Sequence, residues 1–491
     1  MTTTRVHSKR AIRCCWRGGS VTSFDSRSVM RPTRWRRSTH VLVGLVVLVL
    51  VAVVVAVAAV FTTGRNSDAQ AAKPLPTPAT ANPAVVPVAE SAPTPTDAGL
   101  AAALAPALAD PNLGELAGRV TDAMTGDPLW DQRADVPMQP ASTNKVLTAA
   151  AALLTLDREA RLTTTVVAGD QKRDPGLVVL KGGGDPTLSA APRGTDSWYR
   201  DAARIGELAD QVRRSGIEAT AVAVDTSAYT GPEMAFGWDP LDIPGGDIAP
   251  MVPVMLDGGR TQPVSEESRR SPTPAADAGR ALATALRIDP AAVTVLRGPY
   301  RGGRQIAAVQ SPPLMERLRV MMNLSDNVMA EAIGREVAAQ LGRPQSFDDA
   351  AKAVLAQLRK AGIDTTNARL FDSSGLSVDD RLTARTLDDV ITAAAGDDHP
   401  ELRPLVDLLP IAGGSGTLSN RYLDTAAGRE AAGWLRAKTG SLTGTNSLAG
   451  IVTDARGRVL TFALMSNNAG PTGRTALDAL AATLRACGCG S

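Results

Sequence analysis

The feature that most limits how this chain can fold is an uncharged apolar run from Val41 to Phe61. As a helix, its 21 residues would span about 30 Å at ~1.5 Å per residue, the thickness of a bilayer's hydrocarbon core. Residues 1–40 contain ten Lys or Arg and one acidic residue. Because basic flanks remain on the cytoplasmic side of a membrane, we predict a basic cytoplasmic tail at 1–40, a transmembrane anchor at 41–61 and an extracytoplasmic body, so that the protein is a single-pass protein of the cell membrane.

Two alternatives concern this N-terminal region. The sequence Ala69-Gln70-Ala71 has the small-x-small form of a signal-peptide cleavage site, and cleavage there would make the body a secreted protein. The apolar run is longer than an ordinary signal-peptide core, which favours an uncleaved anchor. Met30 opens the charged segment that leads into the run, so translation starts at either Met1 or Met30.

Composition divides the remaining chain into segments. Residues 62–97 are rich in Ala, Pro and Thr, which predicts an extended linker. Short β-type runs with Gly and Pro turns predict a β-rich inserted domain at 163–311. The flanking residues 98–162 and 312–491 are then the two parts of one catalytic domain. Predicted helices and strands in that domain cover 98–109, 116–122, 129–131, 141–156, 313–339, 447–453, 460–466 and 475–486.

Aromatic residues and cysteines are both scarce. Aromatics make up 3% of the chain, so no stacking platform for nucleic acid is visible and we predict no nucleic-acid partner. Cys14 and Cys15 precede the anchor, and Cys487 and Cys489 lie at the C-terminus, so no disulfide is placed to hold the core. For the second pair we favour free or intermolecular thiols over a tight bridge.

Three short motifs carry the chemistry. They are, in chain order, Ser142-Thr143-Asn144-Lys145, Ser325-Asp326-Asn327 and Lys438-Thr439-Gly440. Each alone is explained by a helix cap, a turn or an edge strand. The chain has only eight lysines, and two of them fall in these motifs, so the ordered set of three points to one active site.

Their spacing fits a serine nucleophile with a lysine base. Residues i and i+3 share a helical face, so Lys145 would lie beside Ser142, and a second buried cation, Lys438, would help to keep Lys145 neutral. Ser325 would relay a proton to the leaving amine, while Asn327 would hold the substrate amide.

The remaining assignments concern the substrate carbonyl and carboxylate. The backbone N–H groups of Ser142 and of Ser441, which follows Gly440, would form an oxyanion hole. Lys438 and Thr439 are suited to bind the terminal carboxylate of the substrate.

Other catalytic classes lack the residues they need. The three histidines are His7, His40 and His399, and only His399 belongs to the exported body. A Ser-His-Asp triad would depend on that one residue, and no His/Cys cluster is present for zinc, so we predict no metal and no cofactor.

Taken together, the motifs resemble low-molecular-mass class C penicillin-binding proteins, the D-alanyl-D-alanine carboxypeptidase/endopeptidase family also called peptidase family S13. Further matching segments include Gly183-Gly184-Asp185-Pro186-Thr187-Leu188, Asp372-Ser373-Ser374-Gly375-Leu376-Ser377 and Leu409-Pro410-Ile411-Ala412-Gly413. The resemblance implies an α/β (α+β) fold, a penicillin-binding transpeptidase/β-lactamase-like domain with an inserted domain. It also suggests that Asp257 matches an acidic residue of the insert facing the active site.

The chain departs from the family pattern at two positions. Ser373 replaces the usual glycine, and Val378 lies where an arginine is common. That arginine is implicated in binding the side-chain carboxylate of the stem peptide, so the specificity for this group stays open.

The expected function is a serine-type D-Ala-D-Ala carboxypeptidase that acts on peptidoglycan stem peptides through an acyl-enzyme on Ser142 and is acylated by β-lactam antibiotics. Cleavage of cross-links as a D,D-endopeptidase stays open. Two other functions remain as alternatives, a β-lactamase-type hydrolase and an inactive cell-wall-binding scaffold.

Overall fold

The structure is a computed structural model that describes residues 91–170 and 172–489. The predicted tail and anchor and residues 62–90 of the linker lie outside the described residues, as do Cys14 and Cys15. Within the described part of the chain, no helix is both long enough and apolar enough to cross a membrane.

The described residues form ten strands and twelve α-helices, numbered here in chain order. The strands are β1 (Glu115–Asp122), β2 (Pro128–Gln132), β3 (Thr163–Ala168), β4 (Leu177–Lys181), β5 (Ala221–Asp225), β6 (Thr294–Val295), β7 (Gln305–Gln310), β8 (Leu435–Leu442), β9 (Thr445–Thr453) and β10 (Val459–Asn467). The helices are α1 (Asp97–Leu108), α2 (Asn144–Thr155), α3 (Ile205–Arg214), α4 (Asp242–Gly245), α5 (Pro274–Leu286), α6 (Leu314–Leu324), α7 (Asn327–Gln340), α8 (Phe347–Lys360), α9 (Ala384–Ala395), α10 (Pro404–Leu408), α11 (Ala426–Ala431) and α12 (Gly473–Ala486).

The first sheet is antiparallel, in the order β2-β1-β10-β9-β8, and separates two cores. Side chains alternate between its faces along β10, as the pleat of a strand requires. Phe462 and Leu464 pack with α1 and α12, whereas Ala463 and Met465 pack with the helices of the opposite layer. Strand β8 is at the edge of this sheet, and only the first part of its outer row is paired, through hydrogen bonds of Leu435 and Ala437 with the segment 410–412.

Helix α2 lies at the centre of the helical layer. Ten of its twelve residues are buried, and most of them are Ala, Val or Leu, which explains why the helix is apolar all round. It packs against α7, α8 and α9 and belongs to the same hydrophobic core as they do. Residues at the start of α2 are therefore held rigidly.

The second sheet, in the order β6-β5-β4-β3-β7, lies wholly between residues 163 and 310. Strand β4 pairs in parallel with β5, whereas β3 pairs antiparallel with both β4 and β7. The core of this region includes Val328, Phe347 and Leu376 from the flanking segments. The segment therefore packs directly on the part of the chain that carries the second motif. Its boundaries as a separate domain stay a prediction.

The description of this region as β-rich missed its helices. Helix α3 buries Ile205, Leu208, Ala209 and Val212, which follow helical spacing in the sequence. Helix α5 also packs on β5. The region is a mixed α/β layer, and the overall α/β fold predicted from the sequence is confirmed.

Two sequence expectations are corrected. The helical pattern predicted over 313–339 is two helices, α6 and α7, because Ser325 adopts a left-handed conformation with φ 58° and ends the first of them. At the C-terminus, Cys487 and Cys489 form a disulfide, with Cα atoms 5.0 Å apart. That separation lies within the ordinary range for a bridge, so the preference for free thiols was wrong.

Candidate active site

Ser142 lies in a 3-10 turn, Ala141–Thr143, that leads into α2. Lys145 follows on the same face, and its Nζ lies 2.8 Å from Ser142 Oγ. The same Nζ donates to Asn327 Oδ1 at 2.6 Å and to the Ser374 carbonyl oxygen at 2.7 Å. The amine is thus fixed beside the serine hydroxyl by one residue from the second motif and one from the loop at 372–377.

Burial controls the protonation of this lysine. Lys145 is fully buried, and the loss of solvent lowers its pKa from 10.5 to about 8. The carboxyl groups of Asp372 and Glu331 raise the pKa, but their effect is smaller than that of burial. A substantial fraction of the Lys145 amine is therefore neutral in mildly alkaline solution, and only the neutral amine can act as a general base.

The second motif spans the break between α6 and α7. Ser325 is the left-handed residue at the end of α6, and Asp326 caps α7 by accepting a hydrogen bond from Met329 N at 3.0 Å. Asn327 begins α7 and also donates through Nδ2 to the Asp247 carbonyl oxygen at 3.1 Å. The break between the helices therefore places Ser325 and Asn327 on the same cavity.

The third motif lies on the edge strand β8. Lys438 Nζ donates to Ser325 Oγ at 3.0 Å and to the Thr439 carbonyl oxygen at 2.8 Å. The pKa of Lys438 is lowered well below its ordinary value, first by burial and then by the positive charges of Lys145 and Arg421. The structure therefore brings both motif lysines and both motif serines into one hydrogen-bonded site.

Gly440 brings the edge strand close to the nucleophile. A Cβ at this position would lie 2.7 Å from the Pro140 carbonyl oxygen and 3.0 Å from Ser142 N. Ser441 lines the cavity next along β8, beyond the part of the edge that pairs with the segment 410–412. The predicted pair of oxyanion donors, Ser142 N and Ser441 N, is compatible with this arrangement.

Asp257 is not brought to this cavity. It is 1% exposed, accepts a hydrogen bond from Ser189 Oγ at 3.0 Å and has its pKa raised to about 6 by burial. The expectation that it faces the active site is therefore corrected. The carboxyl groups of the inserted segment that do line the cavity are Asp242 and Asp247.

The loop at 372–377 is held by its first residue. Asp372 accepts hydrogen bonds from the backbone N–H groups of Ser374, Gly375 and Ser377 and from Trp238 Nε1 at 2.8 Å. This network aims the Ser374 carbonyl oxygen at Lys145.

Ser373 and Val378, the two departures from the family pattern, differ in burial. Ser373 is buried, and its side chain lies against Gly334, where an added Cβ would clash with it. A glycine on α7 thus makes room for the larger residue. Val378 is 52% exposed, and its carbonyl oxygen accepts hydrogen bonds from Gln139 and Arg381.

Sequence reasoning missed several residues of the site. The cavity has a volume of about 770 Å³ and extends from Ser142 past Thr417 to the loop at 420–425 and the start of α12. Thr417 Oγ1 lies 2.8 Å from Thr439 Oγ1, and Arg421 is paired with Asp478. Arg421 and Asp478 are 57 positions apart, so no local pattern could have joined them.

Other catalytic groups are not assembled around Ser142. Across 91–170 and 172–489, no group of three or more His, Cys, Asp or Glu side chains is arranged to hold a metal ion. His399 pairs with Glu401 at 3.2 Å and does not line the cavity. A serine with a lysine base, a second serine–lysine pair and an edge strand define the class of active-site-serine acyl-transfer enzymes.

Comparisons with known proteins identify the family. The model of the D-Ala-D-Ala carboxypeptidase 3 (S13) family matches residues 100–269 and 263–484, and a model described as the Carboxypeptidase Rv3627c-like N-terminal domain matches 30–87. The chain is 73% identical to Carboxypeptidase DacB of Mycolicibacterium smegmatis, over 94% of this chain and 100% of the relative. It is 63% identical to Carboxypeptidase Rv3627c of Mycobacterium tuberculosis, over 94% and 100%.

A solved structure supports the same fold. Penicillin binding protein 4 (DacB) of Haemophilus influenzae matches with a TM-score of 0.65 at 22% identity, covering 79% of this chain and 98% of that one. The chain therefore belongs to the D-Ala-D-Ala carboxypeptidase (S13) family. It is a serine-type carboxypeptidase with a penicillin-binding fold, as the sequence predicted.

Proposed function

We propose that the protein releases the terminal D-alanine from peptidoglycan stem peptides, with Ser142 as its nucleophile. The observation that carries this proposal is the 2.8 Å contact between Lys145 Nζ and Ser142 Oγ inside a buried site. In this arrangement, a neutral lysine accepts the proton as the serine hydroxyl attacks a carbonyl carbon.

The remaining groups complete the reaction. The bond from the carbonyl carbon to nitrogen breaks, an ester forms on Ser142, and the departing amine takes a proton through Ser325, which Lys438 contacts. One water molecule then hydrolyses the ester and regenerates the hydroxyl. Backbone N–H groups of Ser142 and Ser441 stabilise the oxyanion in both steps. Thr439 lies at the cavity wall, placed to bind the carboxylate of the terminal residue.

β-Lactam antibiotics should acylate the same serine, since their strained amide takes the place of the peptide bond. Replacement of the nucleophile, Ser142→Ala, is expected to abolish both covalent labelling by a fluorescent penicillin and release of D-alanine from a pentapeptide. Ser419→Ala, at an exposed serine outside the cavity lining, is the control and should be labelled like the wild type. Undiminished labelling of the Ser142→Ala variant would rule out this nucleophile.

The β-lactamase alternative requires a group that activates water for rapid deacylation. No glutamate among the described residues lines the cavity, and Glu331 near Lys145 is bound to Arg335 and to Ser373 N. We therefore favour a long-lived penicilloyl-enzyme. Rapid turnover of nitrocefin would instead support the lactamase. A wild-type protein that neither releases D-alanine nor hydrolyses nitrocefin would support a scaffold.

We also propose that the enzyme works outside the cytoplasmic membrane, held there by the apolar run at 41–61. The proposal is supported by the length of that run and by the basic residues before it. Peptidoglycan lies on the same side, so the location and the substrate agree. Fractionation of cells should find the full chain with membranes and its body accessible to added protease.

A further inference from the structure

The loop at 372–377 is followed by a second buried carboxyl group, that of Asp380. Asp380 is fully buried, and its Oδ1 accepts a hydrogen bond from Phe371 N at 2.7 Å. Its backbone N–H donates to the Ser377 carbonyl oxygen at 3.3 Å. Asp372 holds the loop from the start and Asp380 holds it from the end, so two carboxyl groups close the loop that supports the catalytic lysine.

The two carboxyl groups differ in the number of N–H donors that they receive. Each oxygen of Asp372 accepts two hydrogen bonds from N–H groups, and four such donors favour a negative charge on this carboxyl group. Asp380 has the single donor on Oδ1, whereas its buried Oδ2 receives no N–H or hydroxyl hydrogen from the described residues. A buried carboxylate oxygen without a donor is strongly unfavourable, so the surroundings of Asp380 suit a neutral acid.

The remaining partner of Asp380 is the carboxyl group of Asp372. The two side chains hydrogen-bond to each other, and a hydrogen bond between two carboxyl groups requires that one of them carry a proton. Burial, the negative charge of Asp372 and this hydrogen bond all raise the pKa of Asp380 well above its ordinary value. The proton of the pair therefore lies on Asp380.

Other charged groups near Asp380 come from two helices and from its own loop. Glu331 on α7 adds to the rise in the pKa of Asp380. Lys145 on α2 is close enough that a negative charge on Asp380 raises the pKa of its amine. On the loop, Arg381 donates to the Asp380 carbonyl oxygen at 2.8 Å, and Asp379 is partly exposed. The charge of Asp380 thus acts on the general base of the site.

We propose that Asp380 is a positioning residue, a neutral acid that donates a hydrogen bond to Asp372 and holds the loop without a second negative charge beside Lys145. The inference rests on the proposed function, since it assumes that Lys145 is the base for Ser142. An ionised Asp380 would repel Asp372 and loosen the loop that aims the Ser374 carbonyl oxygen at the lysine. It would also keep the amine in its protonated, inactive form to a higher pH.

The first test replaces the proposed acid with an amide of the same shape. In Asp380→Asn, the new NH₂ group can donate to Asp372 and the oxygen can accept from Phe371 N, so the loop stays in place and residue 380 is neutral at every pH. The rate of acylation by penicillin, which needs neutral Lys145, should then rise with pH over the same range as in the wild type. A rise displaced to lower pH would show that the change removed a negative charge from beside Lys145, and it would overturn the proposal.

Infrared spectroscopy gives a result that does not depend on catalysis. At about pH 8, where exposed carboxyl groups are ionised, the spectrum of the wild type minus that of Asp380→Asn should contain the carbonyl band of a protonated carboxylic acid. The absence of this band would contradict a neutral Asp380. The control is Asp379→Asn, the same change at the adjacent, partly exposed carboxyl group, and its difference spectrum should contain no such band.

A third variant separates the hydrogen bond from the charge. Asp380→Ala leaves both Phe371 N and Asp372 without a partner, so acylation should slow about tenfold or more, whereas Asp380→Asn should keep most of the wild-type rate. If the Asn variant is as slow as the Ala variant, a neutral donor at this position is not what supports the loop. Failure of the proposed function gives another result, because penicillin would then not acylate the wild type while the infrared band would remain.

Discussion

Lys145 shows how one buried residue sets the chemistry of the site. Three oxygen atoms surround its Nζ, those of Ser142, Asn327 and Ser374, and all three accept hydrogen bonds without bringing a full negative charge. Burial then outweighs the nearby carboxylates and lowers the pKa to about 8. A lysine in such surroundings serves as a base near neutral pH, which an exposed lysine cannot do.

This pKa predicts the pH dependence of acylation. The neutral amine is the reactive form, so the acylation rate with penicillin should rise with pH through about 8 and level off above it. Below that value, the protonated fraction grows and the rate should fall by about tenfold per pH unit. Stopped-flow measurement of the acylation rate on both sides of pH 8 would show this rise. A rate that does not change with pH would exclude Lys145 as the base.

Replacement of the same residue gives a second measurement. Lys145→Met keeps most of the side-chain volume and removes the amine, so acylation should slow by about 10²–10⁴-fold while the chain stays folded. Circular dichroism checks the fold. Lys360→Met, at an exposed lysine, serves as the control and should acylate at the wild-type rate.

The serine and lysine contacts could be predicted from the sequence because they follow from local spacing and from three recognisable motifs. The acidic residues of the inserted segment that line the cavity could not be predicted in this way. Asp257 resembled the expected residue by its local sequence, yet it is buried against Ser189, whereas Asp242 and Asp247 reach the cavity. Which acid faces the site depends on how a long loop folds over α7, and no periodic pattern encodes that.

At the scale of elements, the break between α6 and α7 is the feature that assembles the second motif. Asp326 caps α7, and its other carboxylate oxygen accepts a hydrogen bond from Tyr199 Oη at 2.8 Å. Tyr199 comes from the inserted segment and is 1% exposed. A residue far away in the chain thus holds the turn that presents Ser325 and Asn327, and we regard it as a positioning residue.

Tyr199→Phe should therefore affect both stability and catalysis. The change leaves a buried carboxylate oxygen of Asp326 without its donor, which costs about 1–3 kcal/mol in the free energy of unfolding. Penicillin acylation should slow as well, since the turn at 325–327 loses its support. Urea denaturation and the acylation rate constant measure the two effects.

The comparison variant for this prediction is Tyr300→Phe. Tyr300 also lies in the inserted segment and accepts a hydrogen bond from Asp170 N at 3.0 Å, but it does not line the catalytic cavity. It should lose stability without slower acylation. If both variants acylate at the same rate at saturating penicillin, Tyr199 has only a structural role.

Strand and helix positions were largely predictable because hydrophobic periodicity marks them. The ends of β1, β9, β10 and α12 lie within about two residues of their predicted positions. The break at Ser325 was not predicted, since the apolar pattern continues across it. The left-handed Ser325 contacts Lys438, which is distant in the chain, and the local sequence does not contain that contact.

At the scale of the whole molecule, the proposal that the run at 41–61 anchors the chain implies that the body reaches its substrate from a fixed point. Residues 91–97 of the predicted linker belong to the described body, where Ala92 O accepts a hydrogen bond from Arg458 and Thr96 caps α1. The rest, 62–90, would extend about 90 Å at ~3.1 Å per residue if its proline-rich sequence favours the polyproline conformation. A flexible chain of the same length would have an end-to-end distance of only about 30 Å. If the anchor and linker are as proposed, the stiffness of the linker would limit the reach of the active site as much as its length does.

A shortened linker tests this relation. Deletion of residues 74–90 should leave D-alanine release from a soluble pentapeptide unchanged, because the described body begins at residue 91 and the cavity lies within it. If the run at 41–61 anchors the enzyme as proposed, digestion of intact cell wall should slow, since much of the wall would then lie beyond its reach. Replacement of the same residues by a different proline-rich sequence of equal length should restore the rate, whereas a Gly/Ser sequence should restore it only partly. Equal digestion by the full and shortened forms would show that the linker does not set the working distance.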